Sequence, residues 1–461
     1  MATSCKGIRR SVGRWYVASC LLFALLLNLA ACQTGSQAGQ ADAGAVPTTT
    51  SANPMRAVTY SRQPLAARQA VIQRMLADDA AGFWADCASL ARQIDDWPMI
   101  RLLSDQAQAT GETRALPWLA RSWAMRSITV PDADRPERAA IESITGEPAP
   151  HLLKSIVFDS HVEYAPATQV AAWSVLVRIE SSIALRQLTA SVPDDKQSLL
   201  VSMLKDAAPA LDVLPSDRIA IARLMSLSTT TSDEQWRAWA KWRAAHASDG
   251  PATLALRHLP ALQHRDPQRD AWSRDRWLKH IQSRLANRRH ASRGAGTDED
   301  IVVKHRPDRL SDHAEALGVA DFILLDHLLD AMGDPAVRRA AFEQAQADLR
   351  DTSTELGGAL IWNDQGDLEL KAFAPLIRRH DQAYIASTRC IEAVYLGLAH
   401  FHFHTQRYDN ADWAGPGKGD LDFAESHHAN AIVMTYLDRK TLNVDAYLPG
   451  GIVIDLGCMT R

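Results

Sequence analysis

Leu398-Ala-His-Phe-His-Phe-His404 is the stretch on which the fold turns. Histidines 400, 402 and 404 alternate with apolar residues, which is the period of a β-strand. All three imidazoles then leave one face of a sheet, while Phe401 and Phe403 pack behind. A sheet presents metal ligands in this way.

Upstream, Glu355-Leu-Gly-Gly358 opens a strand-like run over residues 355–363. Asp364-Gln-Gly366 is a turn and 368–373 returns, so the two runs predict a β-hairpin. A helix over 382–395 then leads into the histidine strand at 397–404. Downstream, Gly415-Pro-Gly-Lys-Gly-Asp-Leu421 enters a helix over 420–428, with Asp420 near its start. Strands are predicted over 431–437, 442–448 and 452–456, and Pro449-Gly-Gly451 forms the last turn. Asp334-Pro335 opens a helix to about residue 349, with Pro at the first helical position. The expectation is an α+β domain over 335–461.

The order of these residues resembles the JAB/MPN family of JAMM-motif zinc peptidases. The residues that carry it are Glu-x-Gly-Gly on a first strand, His-x-His ending a later strand, and Pro-x-x-x-Asp-Leu opening a helix. The resemblance implies His402, His404 and Asp420 as zinc ligands, and Glu355 as the base toward the attacking water. It also implies cleavage of peptide or isopeptide bonds. The donor chemistry points the same way. Two neutral imidazoles and one carboxylate leave a coordination position open, the catalytic rather than the structural pattern for zinc.

The chain departs from the family at three places. Thr405 stands where the family usually has Pro. His404 to Asp420 spans 16 positions (420 minus 404), several more than the family pattern, so 406–415 reads as an insertion. Its Arg407, Tyr408, Asp409, Asn410, Asp412 and Trp413 could line or cover a substrate groove. The family's Ser-x-x-Asp reads Gly417-Lys-Gly-Asp420 here, so the serine hydroxyl that resembles an oxyanion donor is missing. Lys418, a backbone N–H of Gly417 or Gly419, or His400 could stand in for it. The alternation also admits His400 and His402 as the ligand pair, and Asp422 competes with Asp420. His427 and His428 read either as neighbours of the site or as exposed residues.

From residue 57 to about 290 the chain reads as helices. Phe83, Cys87, Leu90 and Ile94 share one helical face, as do Ile72, Met75 and Leu76 one helix earlier. Short helices broken by Trp97-Pro98 and Pro117-Trp118 turns are similar to HEAT-like repeats, which implies an α-solenoid with a protein-binding surface. Ser232-Asp-Glu-Gln235 is a capping box opening a helix whose Trp236, Trp239 and Trp242 fit a helix-helix core. Seven basic residues from Arg274 to Arg293, against Asp275 alone, read as a solvated helix face or a contact for anionic lipid or peptidoglycan. They lead into Gly294-Ala-Gly-Thr297, and 291–334 is expected to be a linker with a short helix.

At 461 residues, with 46% hydrophobic and 23% charged side chains, the chain is a multidomain globular protein. A net charge of -4 leaves no global field for nucleic acid. Lys6, Arg9, Arg10 and Arg14 precede an apolar core, and Leu29-Ala-Ala-Cys32 resembles a bacterial lipobox. Residues 1–31 are then a signal peptide, Cys32 is the lipidated residue, and 32–56 is a flexible tether rich in Gly, Ala, Ser and Thr. Gln33 in place of Asp favours the outer membrane, facing the periplasm. The expected partners are a membrane, reached through the lipid, and an envelope protein or peptide. Of the remaining thiols, Cys390 and Cys458 are the one pair inside a single expected domain.

Overall fold

The computed structural model describes residues 54–59, 62–125, 130–159, 164–251, 254–291, 308–378 and 383–461. The signal segment, Cys32, most of the tether, Arg293 and Gly294-Ala-Gly-Thr297 lie outside the described residues. The chain forms two compact units. One runs up to Lys205 and includes Pro215–Ile221; the other comprises Asp206–Leu214 and Ala222–Arg461.

The first unit is helical among its described residues. It includes α1 (Leu65–Ser89), α2 (Trp97–Thr110), α3 (Leu116–Ala124), α4 (Pro136–Thr145), α5 (Ala149–Phe158), α6 (Pro166–Ile179), α7 (Ser182–Ser191) and α8 (Leu199–Ala207). A break at Asp79 divides α1, and the Asp79 carboxylate accepts the Gly82 N–H at 2.9 Å. Ile72 is therefore buried from one segment, and Phe83 and Cys87 from the next. Tryptophans 84, 118, 123 and 173 are almost wholly enclosed. A buried ion pair, Arg135 with Glu137 at 2.5 Å, also hydrogen-bonds Ser122 and so satisfies its polar atoms inside the core.

The second unit contains α9 (Asp233–Ala245), α10 (Arg274–Ala286), α11 (Val319–Gly333), α12 (Pro335–Asp348), α13 (Thr388–Leu396) and α14 (Lys418–His427). Its strands are β1 (Gly357–Trp362), β2 (Leu368–Phe373), β3 (Ala399–His404), β4 (Ala431–Asp438), β5 (Thr441–Leu448) and β6 (Ile452–Thr460). They form one mixed sheet in the order β2-β1-β3-β4-β5-β6. Only β3 and β4 pair in parallel, and α14 is the crossover between them.

The two faces of β3 part as the alternation requires. Phe401 lies across from Ile432 and Phe403 from Met434, and this face meets Leu328, Met332, Val337 and Ala341 of α11 and α12. On the opposite face α14 places Leu421 and Ala424 over Ala431, Val433, Tyr447 and Val453. The histidines share that second face.

Three expectations are corrected here. The division between units falls at 205–222, not at the basic run. Residues 319–332 are no linker: α11 is buried on nearly every side, because its sequence is apolar around almost its whole circumference. The basic run is in large part a packing face. Arg274 donates to Leu317 O at 2.9 Å, Arg288 to Cys458 O at 3.1 Å, and Arg284 pairs with Asp326 and Asp330. Cys87, Cys390 and Cys458 are all free thiols, so Cys390 and Cys458 are not joined. Trp236, Trp239 and Trp242 are core residues, as their spacing implied.

Candidate metal centre

Strand register brings the site together. Gly357 on β1 faces His402 on β3, antiparallel, so two residues further back Glu355 falls across from His404. The intervening glycines permit this approach. A Cβ on Gly357 would lie 2.7 Å from Phe401 O of β3, and one on Gly358 would lie 2.0 Å from Lys371 O of β2, on the other side of β1. The crossover then returns Asp420, in the first turn of α14, to the carboxyl end of β3.

Three side chains converge. His402 Nε2 and His404 Nε2 are 3.3 Å apart, His402 Nε2 is 3.2 Å from Asp420 Oδ1, and His404 Nε2 is 3.7 Å from Asp420 Oδ2. Around zinc, bonds of about 2.0–2.1 Å in tetrahedral arrangement separate ligands by about 3.3 Å. A Glu355 carboxylate oxygen also lies within 4.8 Å of both imidazoles, and this Glu/His/His group could hold a metal ion. Glu355 and His402 are buried, and His404 is 14% exposed.

The far sides of the rings are fixed. Trp413 O can only accept, so His404 carries a proton on Nδ1, 2.9 Å away, and turns the Nε2 lone pair inward. Tyr447 OH stands 3.3 Å from His402 Nδ1. Such outer partners set the orientation of metal-ligating histidines. The Asp420 carboxylate also accepts the Gly417 N–H at 2.7 Å.

Charge follows from this crowding. Burial alone would lower His402, but the Asp420 carboxylate overrides it and lifts the imidazole to about 9. Burial and the neighbouring His402 charge lower His404. Burial would raise Asp420, yet the two imidazoles hold it well below the usual carboxylate range. With no metal present, His402 and Asp420 are a buried ion pair. A metal ion held here would require that imidazole to lose its proton.

The remaining candidates separate cleanly. His400 stays outside the cluster: its Nδ1 donates to Gly358 O at 2.8 Å, its ring packs against Tyr384 and Phe423, and burial pushes it down to about 3. Asp422 is exposed and bound by Lys418 Nζ at 2.6 Å, so neither reaches the ligands. The Gly417 N–H is engaged by Asp420, whereas the Gly419 N–H, in the first helical turn, has no intrahelical acceptor. His427 packs on Phe423 and His428 ends α14 in a left-handed conformation.

Asp348, at the end of α12, was not legible as part of this arrangement. Its carboxylate accepts the Leu356 N–H and, at 2.5 Å, the Thr405 hydroxyl. It thereby ties the residue after Glu355 to the residue after His404. The 406–415 segment adds Gln406, whose Nε2 donates to Glu355 Oε1 at 3.2 Å, and an exposed Trp413 side chain.

No family model, curated protein or solved structure matches this chain.

Proposed function

We propose that the C-terminal unit is a zinc-dependent, JAB/MPN-like hydrolase of peptide or isopeptide bonds, carried by a lipid-anchored protein of the cell envelope. The observation that supports it is the convergence of His402 Nε2, His404 Nε2 and an Asp420 oxygen at ligand-to-ligand spacing, with Glu355 beside them. Zinc bound there would polarise a scissile carbonyl and lower the pKa of a water. Glu355 is buried next to the ligands and is the group to take a proton and return it to the leaving amine. His404 and His402 are held in the required orientation by Trp413 O and Tyr447 OH. The exposed Trp413 beside His404 is a surface for a substrate chain.

The anchor rests on Cys32 and the lipobox before it. No described helix is long and apolar enough to cross a membrane. The reading places the protein at the outer membrane, facing the periplasm, with an envelope protein or a peptidoglycan cross-link peptide within reach. Cys32→Ala should release the protein from the membrane fraction.

Gly417 favours a second reading, a metal-holding module that binds partners without cleaving them. Metal analysis of the protein purified without chelator tests the centre itself. About one equivalent of zinc is expected, and less than about a tenth would rule out the hydrolase. Glu355→Gln should then keep the metal and abolish turnover.

A further inference from the structure

The 406–415 segment holds a hydrogen-bond chain whose direction is fixed at its ends. Arg407 Nε donates to Asn410 Oδ1 at 3.2 Å, and a guanidinium cannot accept, so that atom must be the amide oxygen. Asn410 Nδ2 donates to His404 O at 3.0 Å; a backbone carbonyl cannot donate, which requires the same orientation. Asn410 Nδ2 also donates to Gln406 Oε1 at 2.9 Å. With its oxygen engaged, Gln406 turns Nε2 toward Glu355 and donates to Oε1 at 3.2 Å. Asn410 is 2% exposed, and its backbone N–H is fastened to Tyr436 O at 2.9 Å.

We propose that Gln406 is a positioning residue for Glu355, held with its N–H side inward by Asn410. This rests on the reading of Glu355 as general base. A carboxylate on a long side chain rotates about its terminal torsion, and an N–H on one oxygen fixes its plane. A flipped amide would set a carbonyl against the carboxylate and turn it away. The inserted segment is thus part of the machinery rather than only its cover.

The test uses the full chain labelled with [15N]glutamine. Gln406→Met keeps length without an amide and identifies the Gln406 resonances by their loss. Asn410→Asp keeps shape but replaces the donor to Gln406 with an acceptor, so the amide should flip. In the unsubstituted protein the Gln406 side-chain protons should be shifted from solvent values and slow to exchange; Glu355→Ala should return them, and Asn410→Asp should move them to new shifts as the flipped amide donates to the introduced carboxylate. Solvent-like resonances in the unsubstituted protein, or indifference to both substitutions, would overturn the proposal. In the zinc-loaded protein, with a fluorogenic peptide mixture as probe, Gln406→Met and Asn410→Asp should lower kcat about 10- to 100-fold with KM and zinc content unchanged. An unchanged kcat, or a loss explained by zinc content, would count against it. If the unsubstituted protein binds zinc and cleaves no peptide, the hydrolase reading falls, and the amide resonances alone decide where Gln406 is held.

Discussion

The second unit buries two histidine–aspartate clusters, and they are built to opposite ends. His258 accepts the Ala255 N–H on Nδ1 at 3.0 Å and donates from Nε2 to Asp321 at 2.9 Å. Arg257 and the Gly318 N–H complete that carboxylate, so the cluster is closed. At His402 and His404 two Nε2 atoms face each other across 3.3 Å, with the Asp420 and Glu355 carboxylates beside them. The same residue types make a structural tie in one place and a receptive site in the other. What separates them is that His258 offers its carboxylate a single ring nitrogen, whereas His402 and His404 turn two Nε2 atoms toward the same carboxylate.

The largest test of that contrast is metal content. His402→Ala or Asp420→Ala should abolish zinc binding in a protein that still folds, read by metal analysis and circular dichroism. Asp321→Ala should do the reverse, because it strands Arg257 and His258 in the interior. Stability in urea should fall by about 3–5 kcal/mol while the folded fraction keeps its zinc. Zinc loss in His400→Ala but not in His404→Ala would show that the pairing along β3 is wrong.

The same contrast explains what could be read from the sequence. β1 to β6 were legible because their alternation is bounded by Asp364-Gln-Gly366 and Pro449-Gly-Gly451, and turn residues of this kind fix strand ends. The histidine cluster was legible because His-x-His on a strand commits both rings to one face. α11 was misread as linker because an all-round apolar helix has no polar face to announce it, and the basic run before it suggested a boundary. Tyr447, Asp348 and Gln406 act only through register and packing, which residue spacing does not encode. Trp413 contributes a carbonyl, for which the identity of the side chain is no guide.

Gly417→Ser is the next test, and it probes whether the open site is also an active one. Gly417 has φ -77°, an ordinary value for any residue, and a Cβ there would meet only Asp420 Oδ2, at 3.6 Å. If the missing hydroxyl limits turnover, its return should raise kcat about 100- to 1000-fold. A zinc-loaded Gly417→Ser protein that remains inert toward peptides would favour the non-cleaving module.

Tyr447→Phe should have a smaller effect. It removes the hydroxyl beside His402 Nδ1 and leaves the ligands in place. Loss of an outer partner typically weakens metal affinity about 10- to 100-fold. Competition with a zinc chelator would measure it. An unchanged affinity would mean that packing, not this hydroxyl, orients the ring.

The mildest difference is in how the two clusters answer to pH in the zinc-free protein. His402 is raised from 6.5 to about 9 in the fold, so its contribution is complete below pH 6.5 and is lost as pH climbs through 9. His258 is lowered from 6.5 to about 4, chiefly by burial and then by Arg257, so its contribution is complete above pH 6.5 and is lost as pH falls toward 4. Melting temperature should therefore drop by a few degrees on each side of neutrality, with His402→Gln flattening the alkaline limb and His258→Gln the acid one. Zinc requires the neutral imidazole, so added metal should restore the alkaline side and leave the acid side alone. An alkaline limb that survives His402→Gln would mean that the ion pair with Asp420 does not form, and the inward nitrogens would then lack the charge that distinguishes the two clusters.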